Sequence, residues 1–249
     1  MAESTNTDIA AVVLVHGAFA DASSWNGVIT RLQNKGVPVT APANPLRGIS
    51  ADSAYIASTL EQIEGPVLAV GHSYGGAVIT NAAAGAKNVV GLVYVAAFAP
   101  DEGEALGEVE AGSKDSVLNS ALVPRTYPTA SGGSATEFYI DPAKAREAFA
   151  DDLSDQQAAL IAATQRPVSE LAFSERNGRP AWKRLPSWAV VATGDRAAGT
   201  DVVRSMAERA GAKITEVEGS HVIMVSQPEA VTNVILEAVA GVTAVPVGA

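Results

Sequence analysis

The chain has 249 residues, and its 17 Lys and Arg against 27 Asp and Glu give a formal net charge of -10 with histidine counted neutral. Such an acidic chain, without a cluster of basic residues, is a poor match for nucleic acid or anionic membranes, because binding to phosphate groups depends on positive charge. The absence of cysteine excludes disulfides, thiolate metal sites and thiol nucleophiles.

A polar segment, residues 1–8, precedes the first predicted element and lacks the cationic stretch and apolar core of a secretory signal. We therefore expect a cytoplasmic protein. The longest apolar stretch, residues 89–100, is far shorter than the ~20 residues that span a bilayer, so it predicts a buried strand.

Short apolar runs rich in valine alternate with longer helical patterns over most of the chain. Such runs are typical of strands covered on both faces. Their alternation with helices predicts right-handed βαβ units and an α/β fold, a doubly wound, mainly parallel sheet of about six strands. Ser226, Pro228 and Glu229 predict a capping box at the start of the last helix. The predicted strands are residues 9–15, 37–41, 66–70, 89–97, 188–192 and 213–217, and the predicted helices are residues 23–34, 51–63, 74–84, 200–210 and 227–240.

One region interrupts this alternation. Residues 101–186 have no strong strand pattern, while helical patterns occur near 142–149 and 154–164. We interpret the region as a mostly helical cap, or lid, inserted into a core formed by residues 1–100 and 187–249. It holds 14 of the 27 acidic residues, which disfavours strongly anionic substrates.

A Gly-x-Ser-x-Gly motif lies at Gly71, Ser73 and Gly75, where a predicted strand meets a helix of small residues. The motif alone is weak, but the strand-turn-helix context is what a nucleophile elbow requires. The glycines tolerate the crowding of a sharp turn and leave the Ser73 hydroxyl projecting above the sheet. Ser73 is therefore the candidate nucleophile, and a glycine-rich turn without catalytic function is the alternative.

A serine hydroxyl needs a base to take its proton, and in a chain without cysteine the candidate is histidine. The histidines are His16, His72 and His221. His221 lies in the loop between the last predicted strand and the last helix, at the carboxyl edge of the sheet, where a base can reach Ser73. His72 adjoins Ser73, and we expect it to be a packing or pocket residue.

The base in turn needs an acid that holds its tautomer and stabilises the imidazolium. Asp195 follows the predicted strand at 188–192 and is our candidate. Asp101 follows the neighbouring strand and stays open as the alternative. With Asp195, the chain order is Ser73, Asp195, His221, which differs from the orders of the two best-known serine proteases.

Two backbone N–H groups are needed to bind the oxyanion of a tetrahedral intermediate. Tyr74 supplies one, because it directly follows the nucleophile. The loop after the first strand turns sharply at His16 and Gly17, and we expect Ala18 to supply the other N–H. The segment between this loop and Ser73 allows the two strands to lie side by side.

Four segments together resemble the α/β-hydrolase superfamily: residues 14–18, 71–76, 194–195 and 219–221. Residues 97–104 and the short start before the first strand resemble the small serine esterase branch that includes plant methylesterases and hydroxynitrile lyases. The resemblance implies an enzyme without a metal or other cofactor. Cyanohydrin cleavage is disfavoured, because those lyases carry Thr directly after the first His and Lys directly after the catalytic His, where this chain has Gly17 and Val222.

We predict that the chain is a carboxylesterase that acts on small esters with an apolar group, through a Ser-His-Asp triad and an acyl-enzyme. Two alternatives stay open: a non-catalytic α/β-hydrolase that binds a small molecule, and another reaction at the same triad (hydroxynitrile lyase, perhydrolase, lactonase or amidase). The expected partner is a small-molecule ester; no nucleic acid or membrane is expected, and a homodimer stays open. The substrate-binding candidates are His16, Phe19, His72, Phe98 and Met224.

Overall fold

The computed structural model describes residues 10–243. The polar start at residues 1–8 and the first residue of the strand predicted at 9–15 lie outside the described residues. Residues 245–249, which we expect from the sequence to be a frayed end, also lie outside them. No helix within the described part of the chain is long and apolar enough to cross a membrane.

The core is a parallel sheet of six strands with helices packed against it, which confirms the predicted α/β fold. The central strands are apolar and buried along their whole length, as expected when helices cover both faces of a parallel sheet. The strands of this sheet are β1 (Ala11–Val15), β2 (Val39–Thr40), β3 (Val67–His72), β4 (Val89–Val95), β8 (Ser187–Ala192) and β9 (Lys213–Val217). The strand order is β2-β1-β3-β4-β8-β9, so β1 and β3 are neighbours.

Five longer helices belong to this core and agree with the predicted helical segments to within a few residues at each end. The first packs against the last, and the second packs against the third. The predicted capping box is wrong: Ser226 ends a separate four-residue helix, and the last helix starts at Pro228. The core helices are α1 (Asn26–Asn34), α2 (Ile49–Glu61), α3 (Tyr74–Ala82), α8 (Thr200–Arg209), α9 (Ile223–Ser226) and α10 (Pro228–Thr243), and a 3-10 helix (Ala22–Trp25) precedes α1.

The inserted region between β4 and β8, which we call the cap (residues 101–186), contains strands that the sequence did not predict. Three of them form a small antiparallel sheet in the order β5-β6-β7. The expectation of no strand there is therefore wrong, although helices remain the larger part of its regular structure. Its strands are β5 (Leu122–Pro128), β6 (Ser134–Ile140) and β7 (Val168–Ser169), and its helices are α4 (Leu106–Glu110), α5 (Ala145–Phe149), α6 (Asp155–Thr164) and α7 (Leu171–Ser174), with 3-10 helices at Leu118–Ala121 and Ala181–Lys183.

Candidate active site

Ser73 occupies a strained turn between β3 and α3. Its φ of 52° and ψ of -124° place a non-glycine residue in a sparsely populated backbone region. The turn is possible because the neighbouring glycines have no side chains: a Cβ at Gly71 would lie 2.5 Å from the Gly75 carbonyl oxygen, and a Cβ at Gly75 would collide with the Val15 carbonyl. The turn therefore holds Ser73 at the start of α3, where only 6% of the residue is exposed.

His221 and Asp195 form a buried pair at the carboxyl ends of β8 and β9. The distance between His221 Nδ1 and Asp195 Oδ2 is 2.8 Å, and each residue is only 1% exposed. The other carboxylate oxygen, Oδ1, accepts hydrogen bonds from the N–H groups of Ala197 at 2.9 Å and Ala198 at 3.0 Å. Because the carboxylate is an acceptor, Nδ1 carries the ring proton, and Nε2 is left as the basic nitrogen.

Asp101, the alternative acid, lies elsewhere. Its carboxylate pairs with the Lys183 ammonium at 2.5 Å on an exposed surface. The hydrogen bond from Lys183 lowers the pKa of the Asp101 carboxyl below its ordinary value. The geometry therefore places Asp195, and not Asp101, beside His221.

Ser73 and His221 line one small cavity of about 10 Å³, together with Ala18, Tyr74 and Phe98. This volume holds about one water molecule. Among the described residues, no hydrogen bond joins the Ser73 hydroxyl to the imidazole. Contacts of this kind often tighten only when substrate binds.

The loop after β1 approaches Ser73 closely enough to form an oxyanion site. A Cβ at Gly17 would lie 2.6 Å from Ser73 Cβ, so the backbone of Gly17 packs directly against the turn that holds Ser73. The N–H groups of Ala18 and Tyr74 have no hydrogen-bond partner within residues 10–243, and both residues line the Ser73 cavity. The next N–H, that of Phe19, is already bonded to the Arg166 carbonyl at 3.1 Å. Ala18 and Tyr74 are thus the N–H donors available to an oxyanion.

His16 is fully buried beside the loop after β1, and its role in substrate binding stays a prediction. Its Nδ1 donates to the Gly17 carbonyl at 2.9 Å, and its Nε2 accepts from the Asn44 N–H at 2.9 Å. Both ring nitrogens are therefore used inside the protein. Burial lowers the pKa of His16, in keeping with a neutral ring that fixes the loop after β1.

His72 packs against the candidate base, which is one of the two roles expected for it, and its contact with substrate stays a prediction. The ring is fully buried, and its Nε2 donates to the His221 carbonyl at 3.0 Å. The centroids of the His72 and His221 rings are 4.7 Å apart. Burial, followed by the proximity of His221, lowers the pKa of His72 well below its ordinary value. A neutral His72 therefore positions the backbone and ring of the candidate base.

The other predicted pocket residues lie in two different cavities. Phe19 and Phe98 line the Ser73 cavity. Met224 lines a separate apolar cavity of about 310 Å³, which we call the outer cavity. Phe19 and Phe149 line both cavities and meet edge to face, with ring centroids 6.2 Å apart. These two rings therefore separate the outer cavity from Ser73.

The cap also supplies site residues that sequence reasoning missed. Asp152 accepts a hydrogen bond at 2.9 Å from the N–H of Ser220, the residue before His221, and also contacts the Ser220 hydroxyl. The Phe149 ring packs on the imidazole with centroids 5.0 Å apart. Glu110 is buried in the wall of the Ser73 cavity. No local motif marks these positions. The one signal in the sequence is that Phe149 is one of six aromatic residues in the segment 101–186.

Within residues 10–243, no group of three His, Asp or Glu side chains is arranged to bind a metal ion. The groups that the Ser73 site offers for chemistry are a serine hydroxyl, an imidazole and backbone N–H donors.

Comparisons with known proteins agree with this architecture. A family model described as the alpha/beta hydrolase family matches residues 12–234. Among solved structures, the chain is similar to polyneuridine aldehyde esterase, with 22% sequence identity and a TM-score of 0.77 over 92% of this chain and 99% of that chain. It is also similar to tomato methylketone synthase I in complex with 2-tridecanone, with 20% identity and a TM-score of 0.75 over 94% and 99% of the respective chains. A pyrethroid hydrolase from Sphingobium faniae shares 20% identity, with a TM-score of 0.74 over 95% and 98% of the chains. No curated protein matches the chain.

Proposed function

The chain belongs to the α/β-hydrolase family, and from this premise we propose that it is a carboxylesterase acting on small esters with an apolar group. The observation that carries the proposal is the buried pair of His221 and Asp195, in which His221 lines the same cavity as the strained Ser73. An imidazole held in one tautomer beside a serine at a tight turn is the arrangement that activates a hydroxyl as a nucleophile.

The proposed reaction is acyl transfer in two steps. Ser73 Oγ attacks the ester carbonyl while His221 Nε2 takes its proton, and the carbonyl oxygen becomes an oxyanion. The carbon–oxygen bond to the alcohol then breaks, and His221 gives its proton to the departing alkoxide. Water repeats the sequence on the acyl-enzyme, which releases the acid and restores the Ser73 hydroxyl.

The oxyanion would be stabilised by the N–H groups of Ala18 and Tyr74. Each such donor contributes about a hundredfold to a thousandfold in rate when it is aimed at the developing charge. Tyr74 is also the first residue of α3, so the positive end of the helix dipole faces the same charge. Its side chain is anchored by a hydrogen bond from the phenol to the Asp52 carboxylate at 2.8 Å, which supports the position of the N–H.

The form of the cavities supports a small ester with an apolar group. The Ser73 cavity is too small for any ester in this structure, so substrate binding requires it to widen, and we propose that the Phe19 and Phe149 rings separate. Their movement would join Ser73 to the apolar outer cavity, which has the size and lining of a small-molecule site. The structurally similar tomato protein binds 2-tridecanone, a long apolar ketone, which is consistent with an apolar ligand in this fold.

Hydroxynitrile lyase activity is less well supported than ester hydrolysis. Any side chain at Gly17 would bring a Cβ within 2.6 Å of Ser73 Cβ, so the Thr that the lyases carry has no space here. Val222, at the position of their Lys, is buried and apolar. Neither group that would assist cyanide release is available.

We propose a small-molecule ester as the ligand and no metal or other cofactor. The expected cytoplasmic location and the expected lack of nucleic-acid and membrane partners remain predictions from the sequence, as does the division into core and cap. A homodimer remains an open alternative.

Steady-state hydrolysis of p-nitrophenyl butyrate tests the proposal. We expect Ser73→Ala and His221→Ala each to lower kcat by about ten-thousandfold or more while the protein stays folded. Ser58→Ala, on the exposed face of α2, serves as the matched control and should retain wild-type turnover. Near-normal turnover in either site variant would overturn the proposed mechanism. A folded wild-type protein that binds apolar ligands without turnover would favour the non-catalytic alternative.

A further inference from the structure

A buried glutamate, Glu110, lines the mainly apolar cavity around Ser73. Glu110 is the last residue of α4 in the cap, and only 4% of it is exposed. It lines the Ser73 cavity, and it also lines a neighbouring cavity of about 350 Å³ on the cap side. The proposed acyl-transfer mechanism does not use this carboxyl.

The hydrogen bonds around Ser116 are compatible with a protonated Glu110. Ser116 Oγ lies 2.8 Å from Glu110 Oε1 and 2.6 Å from the Ala197 carbonyl oxygen. A hydroxyl has one hydrogen, so it can donate to only one of these two acceptors. If it donates to Ala197, the contact with Glu110 is satisfied only when Glu110 carries the proton and donates to Ser116.

The surroundings of Glu110 favour the same protonated form. Burial raises the pKa of its carboxyl above the ordinary value, although the hydrogen bond to Ser116 and the proximity of His221 act in the opposite direction. Ser116 Oγ also accepts a hydrogen bond from the Leu118 N–H at 3.3 Å, so its one hydrogen and two lone pairs are all used. Within the described residues, Glu110 Oε2 has no hydrogen-bond partner.

We propose that Glu110 determines substrate specificity: its free Oε2 accepts a hydrogen bond from a hydroxyl group on the ester, and it selects against esters that present a carboxylate there. This inference rests on the proposed esterase function. A hydroxyl on the ester donates a hydrogen bond to this unpaired acceptor. A methyl group leaves the acceptor unpaired, and a carboxylate has no hydrogen to donate to it.

The test compares kcat/KM for methyl β-hydroxybutyrate, methyl butyrate and monomethyl succinate in the wild-type protein and three variants. We expect the wild type to prefer the hydroxy ester over methyl butyrate by about tenfold or more, and to act on the succinate ester least. Glu110→Met, which removes the acceptor, should bring the hydroxy-to-plain ratio close to one. Glu110→Gln, which keeps an uncharged acceptor, should hold the ratio within about threefold of wild type.

Glu108→Gln is the control, because Glu108 lies on the same helix and pairs with Arg176 on the exposed surface. It should leave the ratio unchanged. The inference is overturned if the wild type shows no preference, if Glu110→Met keeps the preference, or if Glu110→Gln loses it as fully as Glu110→Met. A wild-type protein that hydrolyses none of the three esters or p-nitrophenyl butyrate contradicts the proposed function itself. Hydrolysis of all three esters without preference contradicts only the role of Glu110.

Discussion

Replacement of Asp195 by Asn should disable His221 by reversing its tautomer. Oδ1 of Asp195 accepts two backbone N–H groups, at 2.9 Å and 3.0 Å. The amide oxygen of Asn must occupy that position, because an NH2 group there would point its own hydrogens at the N–H groups of Ala197 and Ala198. The NH2 group would then face Nδ1, which must become an acceptor, so the ring proton moves to Nε2. An imidazole protonated at Nε2 cannot take the proton of Ser73.

The expected loss in kcat is about ten-thousandfold, since a reversed tautomer removes the base while the oxyanion donors remain. This loss corresponds to about 5.5 kcal/mol of transition-state stabilisation. The fold should survive, because the bonds to Ala197 and Ala198 are kept. The assay is steady-state hydrolysis of p-nitrophenyl butyrate, with thermal unfolding as the check on folding.

Asp101→Asn is the matched control for this experiment. Asp101 pairs with Lys183 on the exposed surface, and exposed pairs contribute about 1 kcal/mol or less to stability. We expect its kcat to stay within about twofold of wild type, because nothing in its surroundings reaches His221. Asp195 is not the acid that orients His221 if Asp101→Asn loses more activity than Asp195→Asn, or if Asp195→Asn keeps more than about a tenth of wild-type turnover.

Three further changes probe the surroundings of the site. Gly17→Ala places a Cβ 2.6 Å from Ser73 Cβ and should lower kcat at least about a hundredfold, because it displaces one oxyanion donor. Gly85→Ala, which has open space around its Cβ, should keep wild-type kcat. Equal turnover in the two variants would refute the proposed oxyanion site. Asp152→Asn should lower the free energy of unfolding in urea by about 1 kcal/mol, because a charged acceptor for the loop before the base is lost, and an unchanged midpoint would show that the contact is not stabilising. Burial lowers the pKa of His72, so below about pH 6.5 the imidazole binds a proton in the unfolded chain but stays neutral in the folded protein. The free energy of unfolding should therefore fall by up to about 1.4 kcal/mol per pH unit below that pH. Urea unfolding of His72→Gln should show a shallower fall with pH, and an equal fall would contradict this expectation.

The core could be predicted from the sequence because buried parallel strands are continuous apolar runs that stand out from amphipathic helices. The six predicted strands all form, with ends that differ by a residue or two. The cap strands could not be predicted in the same way. β5 contains two prolines and several exposed positions, so its sequence lacks both the apolar run and the alternation that mark a strand. It forms because β6 pairs along its whole length.

Parts of the candidate site follow from topology, and other parts depend on contacts that no local pattern records. Residues at the carboxyl ends of neighbouring parallel strands meet at one edge of the sheet. The proximity of Ser73, Asp195 and His221 could therefore be predicted from the sequence. Their catalytic roles stay predictions. The burial of His72 depends on packing between segments distant in sequence, and so does the placement of Glu110 beside Ser116 and Ala197.

The most direct test of the account is whether Ser73 is an activated nucleophile. The purified protein is treated with an organophosphonate, which mimics the tetrahedral intermediate, and the adduct is located by peptide mass spectrometry. We expect a single adduct on Ser73 in the wild-type protein and none in His221→Ala. No labelling of the folded wild type, or labelling that persists in His221→Ala, would show that Ser73 is not a nucleophile activated by His221.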